Sequence, residues 1–222
     1  MFENVLFQKS TSLLAQDLKN ERLPGSILFY GPEGSGKFTT ALELSRVLSC
    51  NGKIKGDWNC TCSSCLKHKA LVSQNLLITG TSNRTLEIAA AKDTFLNQYY
   101  NNTRHLEASR YLFLRSVRKL TARFAPVLWE GEDKLSKFSP VMADIDEKLE
   151  LLNPGTKLPE SKELTALLDN IQSNCEKLES SFLYDSLPVS QIRNFSSWAH
   201  LSSDSGKKVL IIENADKMQD SA

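Results

Sequence analysis

The 222-residue chain has almost no excess of either charge: 27 Lys and Arg stand against 26 Asp and Glu, a formal charge of +1. That balance gives no global attraction to nucleic acid or to a membrane surface, so any such contact has to come from a local patch. No apolar run approaches the ~20 residues that span a bilayer. The opening Met1-Phe-Glu-Asn-Val-Leu-Phe-Gln-Lys9 lacks the basic segment and apolar stretch of a secretion signal. The expectation is a soluble, cytoplasmic protein with no membrane partner. Histidine is scarce, with three in the chain. His105 and His200 have no partner that the sequence assigns, and no Ser/His/Asp set or carboxylate pair for catalysis emerges. Internal repeats and low-complexity tracts are lacking too.

What is present begins with Ser26-Ile-Leu-Phe-Tyr-Gly31-Pro-Glu-Gly34-Ser35-Gly36-Lys37-Phe38-Thr39, an apolar stretch running into a glycine-rich loop. Glycines at 31, 34 and 36 let backbone N–H groups turn inward around an anion, and Lys37 reaches the outer phosphates of a nucleotide. The helical periodicity that follows, to about Leu48, places a helix N-terminus at the loop, which also favours negative charge. The hydroxyl residue expected after the lysine, a Mg²⁺ ligand in such loops, is replaced by Phe38. Thr39 comes one residue late, rotated by roughly 100° on the helix.

Cysteine is clustered. Cys50, Cys60, Cys62 and Cys65 give C-x9-C-x-C-x2-C around Gly52, Gly56 and Asn59, while Cys175 stands alone in a core stripe. In a cytoplasmic chain this spacing favours a structural Zn²⁺ site over disulfides. The single-residue step from Cys60 to Cys62 is tight, so His68 stands as a reserve ligand.

A helix is expected over Phe2–Leu23, strands at Ile27–Tyr30, Leu76–Thr79 and about Lys207–Ile212, and a short helix over Ser64–Val72. Strands alternating with helices imply an α/β fold with a parallel sheet. A polar pair, Glu213-Asn214, closes the last strand; ligands bind beyond such strand ends. Between the strands lies a long helical region. Phe113, Val117, Leu120, Phe124 and Val127 share one helix face. Val141/Met142, Ile145, Leu149 and Leu152 follow the start signal Ser139-Pro140 and end at Asn153-Pro-Gly155. Leu164, Leu167/Leu168, Ile171, Cys175, Leu178 and Phe182 form a third stripe, so the region reads as a small all-α bundle. Arg104, Arg115, Arg118, Lys119 and Arg123 fall opposite the first stripe. They make either a solvated face or a contact for nucleic acid or an acidic partner.

The run Arg22-Leu-Pro-Gly-Ser-Ile-Leu-Phe-Tyr-Gly-Pro-Glu-Gly-Ser-Gly-Lys37, then Leu44-Ser-Arg-Val-Leu-Ser-Cys50 and the cysteine window, resembles the opening of bacterial DNA polymerase III clamp-loader subunits, delta-prime and its gamma/tau relatives, of the AAA+ class. Leu187-Pro-Val-Ser-Gln-Ile-Arg193 and Gly206-Lys-Lys-Val-Leu-Ile-Ile-Glu-Asn-Ala-Asp-Lys-Met218 resemble that family's later helix and second motif strand. The resemblance implies a phosphate-loop domain over residues 1–85 and 183–222, C-terminally truncated, with a zinc knuckle at 50–68 and a helical insertion at 86–182. Gly31, Gly34, Ser35, Gly36, Lys37, Phe38 and Thr39 would be the nucleotide loop and Glu213 the second-motif acid. Asn214 replaces the catalytic acid, and Cys50, Cys60, Cys62 and Cys65 would hold zinc. Phe38 and Asn214 are closer to delta-prime, so ATP with Mg²⁺ is expected to bind weakly or not at all and not to be hydrolysed. The implied partners are other clamp-loader subunits in a ring, the sliding clamp and, through the assembly, primer-template DNA. Two alternatives stand beside this: an ATP-hydrolysing gamma/tau-type subunit, and an interaction module with a vestigial loop.

Overall fold

The computed structural model describes residues 1–132, 134–181, 187–201 and 207–218. Phe182, expected to close the third stripe, the expected boundary at 182/183 and Gly206 lie outside them. The described residues are mostly helical, with one two-stranded parallel sheet of β1 (Leu76–Gly80) and β2 (Val209–Glu213). The described residues fall into two compact units, 1–76 with 207–211 and 77–201 with 212–218.

In the first unit, α1 (Ser10–Lys19) and α2 (Lys37–Leu48) contribute Leu14 and Leu44 to a cluster with Phe2 and Val5, and α3 (Ser63–Lys69) packs on α2. The expected helix over 2–23 is shorter at both ends. Phe2 and Phe7 take left-handed φ values of 63° and 58°, which no helix accommodates, and a turn from Val5 N–H to Phe2 O (3.0 Å) brings both residues inward. Ile27–Tyr30 is not a strand. Ile27 and Phe29 pack on the cluster while Leu28 and Tyr30 are exposed. The alternation of a half-buried strand is therefore there, but a strand exists only with a ladder partner, and among the described residues β1 and β2 pair with each other.

In the second unit, α4 (Thr85–Tyr100) and α5 (Leu106–Thr121) pack together, and α7 (Ser161–Ser181) lies against α4, α5 and α6 (Lys134–Leu151). The three sequence stripes become this core. Phe113, Val117, Leu120, Ile145, Leu149, Leu152, Leu164, Leu168, Ile171 and Leu178 are buried, with Phe95 against Phe113 at 6.3 Å between ring centres. Val127 leaves its stripe because α5 ends at Thr121 and gives way to 3-10 turns at Ala122–Phe124 and Pro126–Trp129. Pro140 does not start α6 but lies inside it. Beside it, Ser139 Oγ bonds to Leu135 O at 3.1 Å, the local back-bond that accompanies a bent or broken ladder.

The far end of α6 is closed by a buried cation. Arg110 Nε donates to Leu152 O (2.8 Å), and its Nη2 donates to Asn153 O, Thr156 O (3.1 Å) and Thr156 Oγ1 (2.6 Å). A guanidinium at the negative end of a helix dipole, satisfying carbonyls just past the last turn, is favourable on both counts. Helix α8 (Val189–His200) packs on the Pro126–Trp129 turn.

Candidate phosphate loop and metal centre

The loop after Tyr30 turns on glycines with positive φ. Gly34 and Gly36 take φ of 74° and 77°, and Gly36 caps α2 in the left-handed conformation, so α2 starts at Lys37. An added Cβ at either glycine would meet nothing within 4 Å. The requirement for glycine is thus backbone strain and not crowding. Lys37 Nζ turns back on the loop, donating to Gly31 O (2.8 Å) and Pro32 O (2.7 Å), with Ser35 Oγ at 3.5 Å. A cavity of about 140 Å³ lies against the loop, lined by Asn4, Val5, Leu6 and Gln8 on one side and Gly34, Ser35, Gly36 and Thr39 on the other. Small-molecule sites usually begin near ~300 Å³, so this space is smaller than a nucleotide site. Thr39, not Phe38, contributes to the lining.

Some twelve residues on, the four clustered cysteines converge. Their sulfurs lie within 4.8 Å of one another, with Cys50 and Cys60 Sγ 3.8 Å apart. A tetrahedral shell with Zn–S arms of ~2.3 Å has edges of ~3.8 Å, so the donor set fits a structural zinc with all positions filled by protein. Cys50 follows Ser49, the C-cap of α2, Cys62 is the N-cap of α3, and Cys65 lies in its first turn, fully buried. Gly52 is required here by space: a Cβ would sit 2.5 Å from Cys60 Sγ.

The thiols differ in acidity. Burial raises Cys62, but the backbone N–H groups of Cys65 and Asn51 outweigh it and bring the thiol down to about 6. Burial likewise raises Cys50, and the N–H groups of Gly56 and Gly52 turn the balance downward. Cys65 is pushed well above an ordinary thiol by burial and by Cys50 and Cys62. His68, the reserve ligand, is not in the sulfur group: Nδ1 faces Ser45 Oγ at 3.3 Å, and burial, then Arg46, pulls its pKa to about 4. It is a neutral core histidine.

The comparisons with known proteins bear on this arrangement. A family model described as DNA polymerase III, delta subunit, matches residues 7–128, more than half of the chain, including the phosphate loop and the cysteine cluster. The chain belongs to the DNA polymerase III delta-subunit family. No curated protein and no solved structure matches it. The family match does not stop at residue 85 but runs through α4 and α5.

In this delta-subunit family member the strand-end pair lies in the second unit, where the helical residues claim it. Glu213, about one-tenth exposed, is ion-paired with Arg84 just ahead of α4. Asn214, left-handed at φ 53°, donates from Nδ2 to Ser82 Oγ (3.2 Å) and Thr81 Oγ1 (3.4 Å). The pairing continues outward: Arg84 bonds to Glu87 at 2.9 Å, Glu87 to Lys119, and the Arg84 N–H to Glu179 at 2.6 Å. Arg123 donates to Glu179 and to Ser82 O at 3.0 Å. The basic set is therefore divided: Arg104, ahead of α5, is exposed beside His105, while others are engaged by the helical residues. Lys119 and Arg123 point into this seam, and Arg118 reaches Asn153 Oδ1 at 3.2 Å. Arg84 and Glu179 carry no sequence signal, being 129 and 95 residues from the partners that give them meaning.

Among the described residues no helix is long and apolar enough to cross a membrane.

Proposed function

We propose that this chain is a delta-prime-like arm of the DNA polymerase III clamp loader, used in placing the sliding clamp on primer-template DNA without hydrolysing ATP itself. Its partners are the other subunits of a hetero-oligomeric loader ring and the clamp. The family match supports the setting; the pairing of Glu213 with Arg84 supports the passive role. Divalent metal at a nucleotide needs a hydroxyl beside the loop lysine and a carboxylate free to turn toward the cation. Phe38 supplies no oxygen, Glu213 is neutralised by a guanidinium, and Asn214 is no base. These residues do not fit a Mg²⁺ site. Gly31, Gly34, Ser35, Gly36 and Lys37 retain an anion cradle, which supports weak binding of a phosphate group. Cys50, Cys60, Cys62 and Cys65 do fit zinc, held for structure: it ties the end of α2 to α3. Residues 1–85 with 183–222 serve as the nucleotide-binding-type domain, and 86–182 as a helical insertion within it.

One observation favours a second reading, a gamma/tau-type ATPase. Thr39 lines the cavity beside Gly34–Gly36 and offers a hydroxyl one position late. Reconstitution separates the two. With partner subunits, clamp and primed DNA, Lys37→Ala in this chain should leave clamp loading and ATP turnover unchanged; loss of both would establish the ATPase reading. Clamp loading that proceeds equally well without this chain would refute the loader role.

A further inference from the structure

Helix α2 carries, near its far end, a cation that no solvated role explains. Arg46 is 2% exposed and uses every N–H it has. Nε and Nη2 form a fork on Glu43, at 2.9 and 2.6 Å. The second Nη2 proton goes to Gly56 O at 2.8 Å, and the Nη1 protons go to Asp57 O at 2.9 Å and Cys65 Sγ at 3.2 Å. A guanidinium has five N–H donors in a rigid plane, and five acceptors are met. Three of them belong to the knuckle: two carbonyls of the loop between Cys50 and Cys60, and one sulfur. Glu43, itself buried, is the carboxylate that holds the plane at the right angle. The indole of Trp58 covers the guanidinium, with 5.4 Å from its carbon to the ring centre, and Lys69 Nζ lies 5.0 Å from that centre.

We propose that Arg46 is the positioning residue of the thiolate centre, holding Cys65 Sγ and the Gly56–Asp57 loop in the geometry that receives the metal. The proposal rests on the reading of Cys50, Cys60, Cys62 and Cys65 as a metal site. Its physical basis is charge and direction. Four thiolates around a divalent cation leave a net charge of −2, and an N–H donor on a ligating sulfur lowers the cost of that excess and fixes the lone pair that points at the metal. Lysine cannot replace it. A single ammonium has three donors on a flexible stem and cannot span a carboxylate fork, two carbonyls and a sulfur together. The arrangement also makes α2, which begins at Lys37, the support of both the phosphate loop and the sulfur cluster.

The test is metal affinity, measured on the purified full chain by zinc–chelator competition, with Co²⁺ as the spectroscopic probe. Wild type should hold one equivalent of zinc and give the thiolate charge-transfer and tetrahedral ligand-field bands of a four-sulfur Co²⁺ site. Arg46→Lys should weaken zinc by about 10–100-fold and shift the ligand-field bands. Zinc affinity within twofold of wild type, with unchanged bands, overturns the proposal. The paired variant Arg46→Met/Glu43→Leu removes both charges at similar volume, which preserves folding where a lone buried carboxylate would not. It too should lose affinity, and wild-type affinity in it is equally fatal. A measurement on unaltered protein covers the case in which either variant fails to fold. In the ¹¹³Cd-loaded chain a guanidinium proton of Arg46 should show scalar coupling to cadmium through Cys65. A resolved Arg46 signal without that coupling overturns the proposal. Wild type that binds neither zinc nor Co²⁺ removes the metal site itself and the proposal with it, an outcome distinct from wild type binding while Arg46→Lys binds equally well.

Discussion

The guanidinium of Arg84 is ion-paired with the carboxylate of Glu213, both side chains about one-tenth exposed. Strand β2 ends in an acid, as a nucleotide-hydrolysing strand does, yet the acid faces a fixed cation at the start of α4. A gap at Gly80 makes room for this: a Cβ there would lie 2.6 Å from Glu213 Cβ.

Breaking that pair from one side should be costly. Arg84→Met takes from the half-buried Glu213 its direct ion-pair partner, leaving Arg123 as a nearby cation, and we expect a loss of about 1.5–3 kcal/mol in denaturant unfolding. Arg84→Met/Glu213→Leu should recover most of it. A single variant as stable as wild type would show that Glu213 is solvated.

Arg110 caps α6 across 42–46 residues of sequence. Arg110→Met takes the guanidinium from the carbonyls of Leu152 and Thr156, while Asn153 O keeps the N–H and hydroxyl of Thr156, and the expected loss is about 1–3 kcal/mol. Amide hydrogen exchange should accelerate in the last turn of α6 before it does so in α4. Uniform acceleration would mean that the cap serves the whole bundle.

Cys175 sits in the core between α7 and its neighbours, 2% exposed, and burial, then Glu179 and Glu176, push its thiol up to about 12. The unfolded chain ionises near the ordinary thiol value, so between about pH 9 and 12 the unfolded state binds fewer protons than the folded one. Stability contributed by the neutral thiol is complete below that window and falls as pH rises through it, by up to about 1.4 kcal/mol per pH unit. Cys175→Val should show a shallower decline in denaturant stability than wild type from pH 9 to 10.5. Parallel curves would contradict the burial of this thiol.

Metal removal separates the cysteines. With a strong chelator present at neutral pH, Cys50, Cys60, Cys62 and Cys65 should become alkylatable, Cys62 first because its pKa is the one near 6. Cys175 should react on unfolding. The metal-loaded chain should resist at all five. Equal reactivity with and without chelator would exclude a thiolate-bound metal.

What could be read from the sequence was local. The glycine loop announces itself because Gly31 to Lys37 are contiguous and α2 follows at once. The cysteines lie within sixteen residues, and the stripes of α5, α6 and α7 repeat at helical spacing. What escaped needs partners far along the chain. Ile27–Tyr30 alternates like a strand but depends on a neighbour to become one. Glu213 looks like a metal ligand until Arg84 is placed beside it. Lys119 and Arg123 look solvated until Glu87 and Glu179 arrive from other helices. Pro140 misled for a different reason: its preference for a first turn is weaker than the helical run that precedes it.

The most direct test of the account is Mg²⁺-dependent ATP turnover by the full chain, alone and with partner subunits that are themselves blocked in hydrolysis. The account predicts phosphate release no faster in wild type than in Lys37→Ala. Turnover that requires both Lys37 and Glu213, and that rises when Arg84 is replaced, would contradict it.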